Sequence, residues 1–210
     1  MRPRSVPAYL WLLLASLAAV LLWSGIGPKE RGTWWLEVAP VLIGVPILAA
    51  TYRRFPLTSL AYVLVWLHAI ILMVGGHYTY AEVPLFDWIR DVLGLSRNHY
   101  DRVGHFAQGF VPAILAREVL LRTSPLRPGG WLFFLVCCVC LSISALYELI
   151  EWWAALLTSP ETGTAFLGTQ GDVWDTQWDM FLALVGSIAA QLALSRFHQG
   201  QLDQMSHPPV

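Results

Sequence analysis

Long apolar runs constrain this sequence more than any other feature. A helix needs about 20 mostly apolar residues to cross the hydrocarbon core of a bilayer. Six windows of the sequence meet that need: residues 8–26, 35–51, 57–77, 103–121, 131–151 and 179–195. They predict an all-α protein, a polytopic transmembrane helical bundle of about six spans whose first partner is the lipid bilayer.

The composition agrees with lipid as the main solvent. Hydrophobic residues make up 56% of the 210 residues and charged residues only 13%, whereas a soluble domain carries about a quarter charged residues. We interpret residues 1–210 as a single integral membrane domain with a loose tail over residues 197–210. No pattern in the sequence indicates nucleic-acid binding.

The first window has a second interpretation as a signal peptide, because Arg2 and Arg4 precede its apolar core. Its apolar run is long, however, and residues 24–27 offer no Ala-x-Ala-like cleavage site. We therefore expect an uncleaved spanning helix.

Basic residues divide unequally between the two sides that six spans define. Eight lie on the side of the N-terminus: Arg2, Arg4, Arg53, Arg54, Arg117, Arg122, Arg127 and Arg196. Five lie on the other side: Lys29, Arg31, Arg90, Arg97 and Arg102. Positive connections favour the cytoplasmic side, so we expect both termini in the cytoplasm. Of the 14 acidic residues, only Glu118 and Asp203 fall on that side, which predicts an acidic outer end.

A short amphipathic segment lies between the third and fourth spans. Its apolar residues recur at i, i+3, i+4 and i+7, and its charged residues share the opposite face. The apolar residues are Leu85, Trp88, Ile89 and Val92, and the charged ones are Asp87, Arg90 and Asp91. The pattern predicts a helix lying in the outer membrane interface or, alternatively, a helical loop that packs over the bundle.

Four distant segments carry polar residues to the outer ends of the spans: residues 75–80, 98–108, 147–151 and 171–179. Asp101 and His105 are four residues apart and so share a helix face. Ionised side chains inside a span are costly and usually face a bundle interior or a watery cavity. This convergence at one depth predicts a ligand-binding or catalytic site.

The residue types suit two chemistries. Carboxylates and histidines on neighbouring helices can bind a divalent metal ion, and a His–carboxylate pair can act on a phosphate-bearing or carbonyl substrate with an arginine as anion clamp. The predicted catalytic residues are Asp101, His105, Glu148 and Asp175. The predicted substrate-binding residues are Arg102, Tyr80, Gln108 and Tyr147. The predicted metal ligands are His77, His99, Glu151, Asp172 and Asp179.

A structural interpretation competes with both chemistries. Polar residues at helix ends cap helices and pair across a bundle, and Asp101 and Asp179 suit the first turns of their helices. His68 lies mid-span, nine residues before His77 and hence on the opposite side of its helix. We interpret His68 as a hydrogen-bonded packing residue outside the site.

At these polar segments the chain resembles the YjdF-type family of bacterial inner-membrane proteins, a domain of unknown function. The most specific segments are residues 76–80, 98–105, 147–151 and 168–180. The resemblance covers nearly the whole chain. It implies a multi-pass protein of the bacterial inner membrane and implies no particular activity.

The C-terminal half is more distantly similar to VanZ-like membrane proteins, which are linked to resistance to teicoplanin-type glycopeptide antibiotics. The residues that carry this similarity are Asp101, Arg102, His105, Phe106, Glu148, Glu151, Asp175 and Asp179. Arg102 stands where that pattern has Lys, and Asp179 where it has Asn, so the present site is more acidic. The similarity implies a role in the cell envelope.

These observations lead to one main hypothesis, an envelope protein whose outward-facing acidic and histidine pocket binds or processes a lipid-linked or amphipathic substrate. A divalent metal ion is its possible cofactor. One alternative is a proton- or cation-coupled transporter. It would need a second polar layer deeper in the membrane, where the sequence supplies only His68, Gln191 and a few hydroxyl groups. Another is a non-catalytic scaffold whose acids only hold six helices together.

Overall fold

The computed structural model describes residues 6–206, and every regular element in that range is helical. The helices are α1 (Ala8–Gly25), α2 (Arg31–Thr51), α3 (Ser59–Tyr78), α4 (Pro84–Leu93), α5 (Tyr100–Thr123), α6 (Gly130–Leu157), α7 (Pro160–Leu167) and α8 (Asp175–Ser206). A 3-10 turn, Tyr80–Glu82, precedes α4. Arg2 and Arg4, on which part of the orientation prediction rests, lie outside the described residues, as do residues 207–210.

Polar caps and left-handed glycines set several helix boundaries. The Glu30 side chain accepts the backbone N–H groups of Gly32 and Thr33 and so begins α2. Gly94 and Gly168, with φ of 64° and 60°, end α4 and α7 in the left-handed conformation that glycine adopts without strain.

Five helices, α1, α2, α3, α6 and α8, are long and apolar enough to cross a membrane. Helix α5 has 24 residues, which is sufficient length, but it carries too many charged side chains to be apolar. It lies inside the bundle, where Ala113 and Ile114 are fully buried and α3, α6 and α8 pack around it. The prediction of a polytopic helical bundle is confirmed, and a polar sixth span enclosed by apolar ones is consistent with it.

Glycines bring α5 and α8 into backbone contact, which is the most extensive helix pairing in the described structure. A Cβ atom at Gly109 would overlap the backbone carbonyl of Ala183, and one at Gly186 would overlap that of Phe106. Small residues at such crossings allow close approach of helices where no water-driven hydrophobic force acts. The pairing fixes the position of α5 relative to α8 along its whole length.

The last helix corrects the prediction of a loose tail. Residues 197–206 continue α8 without a break. They are held because His198 is fully buried and the Gln201 side chain accepts the backbone N–H of Leu60 at 3.0 Å. The polar residues that suggested a tail therefore serve as contacts to the start of α3.

A buried polar cluster joins three helices at the end of the bundle where α3 begins. The Glu118 carboxylate accepts the Thr58 hydroxyl at 2.7 Å and an Arg122 N–H at 2.7 Å. It also contacts His198 Nε2 at 3.0 Å, while Arg117 donates to His198 Nδ1 at 2.9 Å. Because Arg117 can only donate, His198 Nδ1 accepts and its Nε2–H donates to Glu118. Each of these polar groups has a hydrogen-bond partner, so we interpret the cluster as structural.

Thr58 gives this interpretation a direct test. Replacing Thr58 with valine keeps the shape but removes the hydroxyl that binds Glu118 and accepts the Ala61 N–H. We expect the free energy of unfolding in detergent to fall by about 1–2 kcal/mol. Thr123→Val is the matched control, since the exposed Thr123 hydroxyl binds only the Val119 carbonyl of its own helix. Equal stability of the two variants would contradict the structural role.

Helix α4 exposes its apolar face. Leu85, Trp88 and Val92 are each about 60% exposed, so no helix of the described bundle covers them. On the other face, Asp87 accepts hydrogen bonds from Asn98 at 3.1 Å and from Arg90 at 2.7 Å. The exposure favours the interfacial helix over the loop packed on the bundle, because such a surface is stable against lipid and not in water.

Candidate functional site

Buried acidic side chains converge at the end of the bundle where α3 and α6 end and α5 and α8 begin, which we call the acidic end. The carboxylates come from four helices and each is less than a tenth exposed. They are Glu37, Asp101, Glu148, Glu151, Asp175 and Asp179. The cations among them are Arg97, Arg102 and, when protonated, His105. The six carboxylates outnumber these cations, and buried negative charge in such excess requires protons or bound cations.

Arg97 joins two of these helices. Its Nη1 lies 2.6 Å from Asp175 Oδ1, and its Nη2 lies 3.3 Å from Asp101 Oδ2 and 3.3 Å from the Gly168 carbonyl. The side chain is buried. Sequence reasoning missed this residue, although its position four residues before Asp101 is the spacing of a helical ion pair.

Arg102 holds a second set of carboxylates. It contacts Asp179 Oδ1 at 2.6 Å, Asp175 Oδ1 at 2.8 Å and Asp172 Oδ2 at 2.9 Å. Asp175 Oδ1 thus lies between two guanidinium groups. Asp175 and Asp172, predicted as a catalytic residue and a metal ligand, are held in place by arginines, and Arg102, predicted to bind substrate, is bound to protein acids.

The oxygens that the arginines leave open face one histidine. Asp101 Oδ1 lies 3.3 Å and Asp179 Oδ2 lies 3.9 Å from His105 Nε2. One ligand atom from each residue lies within 4.8 Å of the others, a spacing that a single metal ion can bridge. The arginines act here as the outer partners that orient metal-binding carboxylates.

Gln108 sets the orientation of the His105 ring. His105 Nδ1 lies 3.2 Å from Gln108 Oε1, which can only accept, so the Nδ1 proton is donated to it. In the protonated ring the Nε2–H faces two carboxylate oxygens, and in the neutral ring this arrangement leaves a lone pair on Nε2 that points toward them. Such a contact is repulsive unless a proton or a metal cation lies between the three atoms. The Gln108 amide has the orientation that places its oxygen against His105 Nδ1.

Two oxygen atoms on α6 are buried without hydrogen-bond partners among the described residues, Ser144 Oγ and Glu148 Oε1. They are four residues apart and so lie on one face of the helix. Glu148 Oε1 is 3.7 Å from His105 Nδ1, too far for a hydrogen bond. Unsatisfied buried oxygens are rare because they are costly, and they mark places where a water or ligand group binds.

A cavity of about 150 Å³ lies beside the histidine. Carboxylates of Glu37, Asp101 and Glu151 line it together with His105, Gln108, Tyr80 and Tyr147. It also reaches His68, Pro112 and Ile143, which lie deeper in the bundle. The interpretation of His68 as hydrogen-bonded packing needs correction, since His68 lines the cavity and no hydrogen bond joins it to the described residues. The cavity admits a few waters or a small polar group.

Glycines make room for Tyr80 in the wall of this cavity. A Cβ atom at Gly75 or Gly104 would overlap the Tyr80 ring. Burial, and then the charge of Glu37, raises the pKa of Tyr80 well above its ordinary value, so its hydroxyl stays a donor. The Tyr147 hydroxyl also donates to Glu37 Oε2, at 3.3 Å. Glu37 was not predicted as a site residue, although an acid inside a predicted span is a functional signal by itself.

Two predicted metal ligands do not belong to the metal-sized group found among the described residues. His77 Nδ1 contacts the Ser24 carbonyl at 3.0 Å, and its ring packs against Trp23 on α1. His99 precedes α5; partial burial and then the cations Arg97 and Arg102 lower its pKa, so it is neutral. Of the five predicted metal ligands, Asp179 belongs to the metal-sized group, and Glu151 lines the cavity beside it.

Comparison with known proteins covers the segments that build this site. The model of a family described as "Predicted membrane protein (DUF2238)" matches residues 9–200. The chain belongs to this family. It is similar to "Inner membrane protein YjdF" of Escherichia coli (strain K12), with 56% identity over 187 residues, which is 89% of each chain. No solved structure matches it.

The family places the chain in a lipid bilayer and confirms the YjdF-type resemblance. The spanning helices agree with a multi-pass membrane protein. The more distant similarity to VanZ-like proteins and the orientation of the termini stay predictions.

Proposed function

We propose that this protein binds a divalent cation between Asp101, His105 and Asp179 and uses it to bind and process an amphipathic or lipid-linked substrate of the cell envelope. The observation that carries the proposal is the set of three ligand atoms within 4.8 Å of one another. Arg97 and Arg102 orient the two carboxylates, and His105 Nε2 faces both. The acidic end would face outward, as the distribution of basic residues predicts.

The donor set indicates the class of metal. Two carboxylate oxygens and one imidazole nitrogen suit Zn²⁺, Mn²⁺ or Fe²⁺ better than soft metal ions. Three protein ligands leave at least one coordination position for water or substrate, the arrangement typical of catalytic sites. A bound divalent ion would also offset part of the excess negative charge at the acidic end.

Neighbouring residues would then take distinct roles. Glu148 is the group we assign to proton transfer, because its Oε1 has no hydrogen-bond partner in the described part of the chain and lies 3.7 Å from His105 Nδ1. Glu37 and Glu151 line the cavity that receives the polar part of a substrate. Helix α4 supplies a membrane-interface surface beside the site, because Asp87 binds Asn98 next to Arg97. An amphipathic molecule could approach along that surface.

Metal analysis of the purified full-length protein tests the proposal. We expect about one divalent ion per chain, removed by a strong chelator and absent from His105→Ala and Asp179→Asn. His77→Ala is the matched control, because His77 is a half-buried histidine at the same end that contacts the Ser24 carbonyl instead of acids. Folded monodisperse protein without metal, or equal metal in His105→Ala and His77→Ala, would refute the site.

A second candidate function is a proton- or cation-coupled transporter, favoured by the extension of the cavity to His68. It predicts that ion flux into liposomes containing the protein depends on Glu148 and His68. A scaffold without a ligand predicts instead that removing any acid lowers the thermal stability while a chelator changes nothing.

A further inference from the structure

A second, apolar cavity lies at the end of the bundle away from the acidic site. Its volume is about 210 Å³. The walls are the first turns of α1, the last turns of α2 and the first turns of α3. Apolar and aromatic side chains line it, among them Leu10, Leu14, Val45, Leu48 and Trp66. Helix α1 packs against α3, and the cavity is the gap left beside α2.

The groove extends over part of one leaflet of a bilayer. Its lining residues on α1 run from Leu10 to Leu17, a distance of about 10 Å at 1.5 Å per residue. Half of the hydrocarbon core of a bilayer is about 15 Å. Because the groove lies among spanning helices, its surroundings are acyl chains, and about two thirds of the length of one extended chain fills it.

Cations and hydroxyl donors lie at the mouth of the groove. Arg53 and Arg54 directly follow Tyr52, which lines the groove; both are exposed, and neither makes an ion pair with the described part of the chain. The rings of Tyr52 and Tyr62 lie 6.3 Å apart. Tyr62 accepts the Leu57 N–H, so its own proton is available to a further acceptor.

Two further arginines at this end already have protein partners. Arg122 binds Glu118, and Arg117 binds His198 and Gln199. The pair beside the groove provides positive charge that no acid among the described residues neutralises, at the depth where lipid headgroups lie. Clusters of basic residues next to spanning helices attract anionic lipids, and guanidinium groups bind phosphate oxygens in a bidentate manner.

We propose that this groove binds one acyl chain of an anionic phospholipid whose phosphate contacts Arg53 and Arg54. The site is independent of the proposed metal site, since the two lie at opposite ends of the bundle. The negative charge of the headgroup would select the lipid, and the apolar wall of the groove would bind its acyl chain.

Lipid binding by the full-length protein in mild detergent tests this proposal by native mass spectrometry. The probes are phosphatidylglycerol and phosphatidylcholine with the same sixteen-carbon chains, and phosphatidylglycerol with six-carbon chains. We expect the wild type to bind long-chain phosphatidylglycerol at least tenfold more tightly than either other lipid. Arg53→Gln/Arg54→Gln should lose about thirtyfold in affinity for it.

Matched variants separate the two halves of the site. Arg127→Gln removes another exposed arginine of the same end, and it should bind like the wild type. Ala49→Phe fills the groove, whereas Ala50→Phe adds the same ring to an exposed neighbour that does not line it. We expect loss of long-chain binding in Ala49→Phe alone. Equal binding of both headgroups, or equal effects within either variant pair, would overturn the proposal.

Discussion

Replacing Arg102 with methionine is expected to lower the free energy of unfolding in detergent by about 3–5 kcal/mol. The guanidinium of Arg102 contacts the carboxylates of Asp172, Asp175 and Asp179 at 2.9, 2.8 and 2.6 Å. Methionine fills similar volume but leaves Asp179 without a guanidinium partner and Asp175 and Asp172 with Arg97 alone, and both Asp175 and Asp179 are almost fully buried. Breaking a buried ion pair from one side costs far more than the pair contributes when intact.

Two further variants serve as controls for Arg102→Met. Arg90→Met removes an arginine that also pairs with two acids, Asp87 and Asp91, but on the partly exposed polar face of α4, where such pairs contribute about 0–1 kcal/mol. Arg102→Lys keeps the charge but loses the forked geometry, so its stability should lie between those of the wild type and Arg102→Met. Chemical denaturation of all three variants provides the measurement. An Arg102→Met protein as stable as Arg90→Met would show that the acids are neutral without the arginine.

The second large effect is expected at Gly109. The Cβ atom of Gly109→Ala would overlap the carbonyl oxygen of Ala183. Because that atom belongs to the backbone of α8, no side-chain rotation relieves the overlap, and the two helices must separate. We expect a loss of about 3 kcal/mol, the upper end of the usual cost of overpacking, together with displacement of Asp179 from Arg102.

Gly44→Ala is the matched control for this change. Gly44 lies within α2, and a Cβ atom there would meet nothing within 4 Å. Alanine favours a helix over glycine by about 1 kcal/mol, so Gly44→Ala should be neutral or stabilising. Thermal unfolding of both variants, followed by metal content of whatever folds, checks the prediction. Similar melting temperatures would show that the contact between α5 and α8 is looser than the structure has it.

Hydropathy and periodicity were sufficient to predict the bundle, including α5 from the window over residues 103–121, as well as the amphipathic helix α4 and the convergence of acids. They were insufficient to predict that α5 lies inside the bundle, where burial among other helices permits its charges. They also misassigned residues 197–206, because polar residues that bind another helix look the same in sequence as polar residues in solvent. Only the packing of the helices in three dimensions, and not the composition of a segment, distinguishes polar residues that contact another helix from polar residues in solvent.

Within the site, sequence could indicate which residues share a depth but not which atoms meet. Asp101, His105 and Asp179 lie together because α5 and α8 cross closely at their glycines. His77 lies at the same end yet contacts α1. The division of carboxylate oxygens between Arg97, Arg102 and His105 depends on distances of a few tenths of an ångström, which spacing along a chain does not encode.

The polar character of α5 has a consequence for how the protein is made. A helix with ionised groups at both ends partitions poorly into lipid by itself. Its partners at both ends, Asp179 and His198, lie on α8, which is synthesised after α5. Stable insertion of α5 therefore has to wait for α8, so membrane integration of the two helices is a cooperative event. A chain that stops before residue 175 should be left with an incompletely inserted helix and be cleared by membrane proteases.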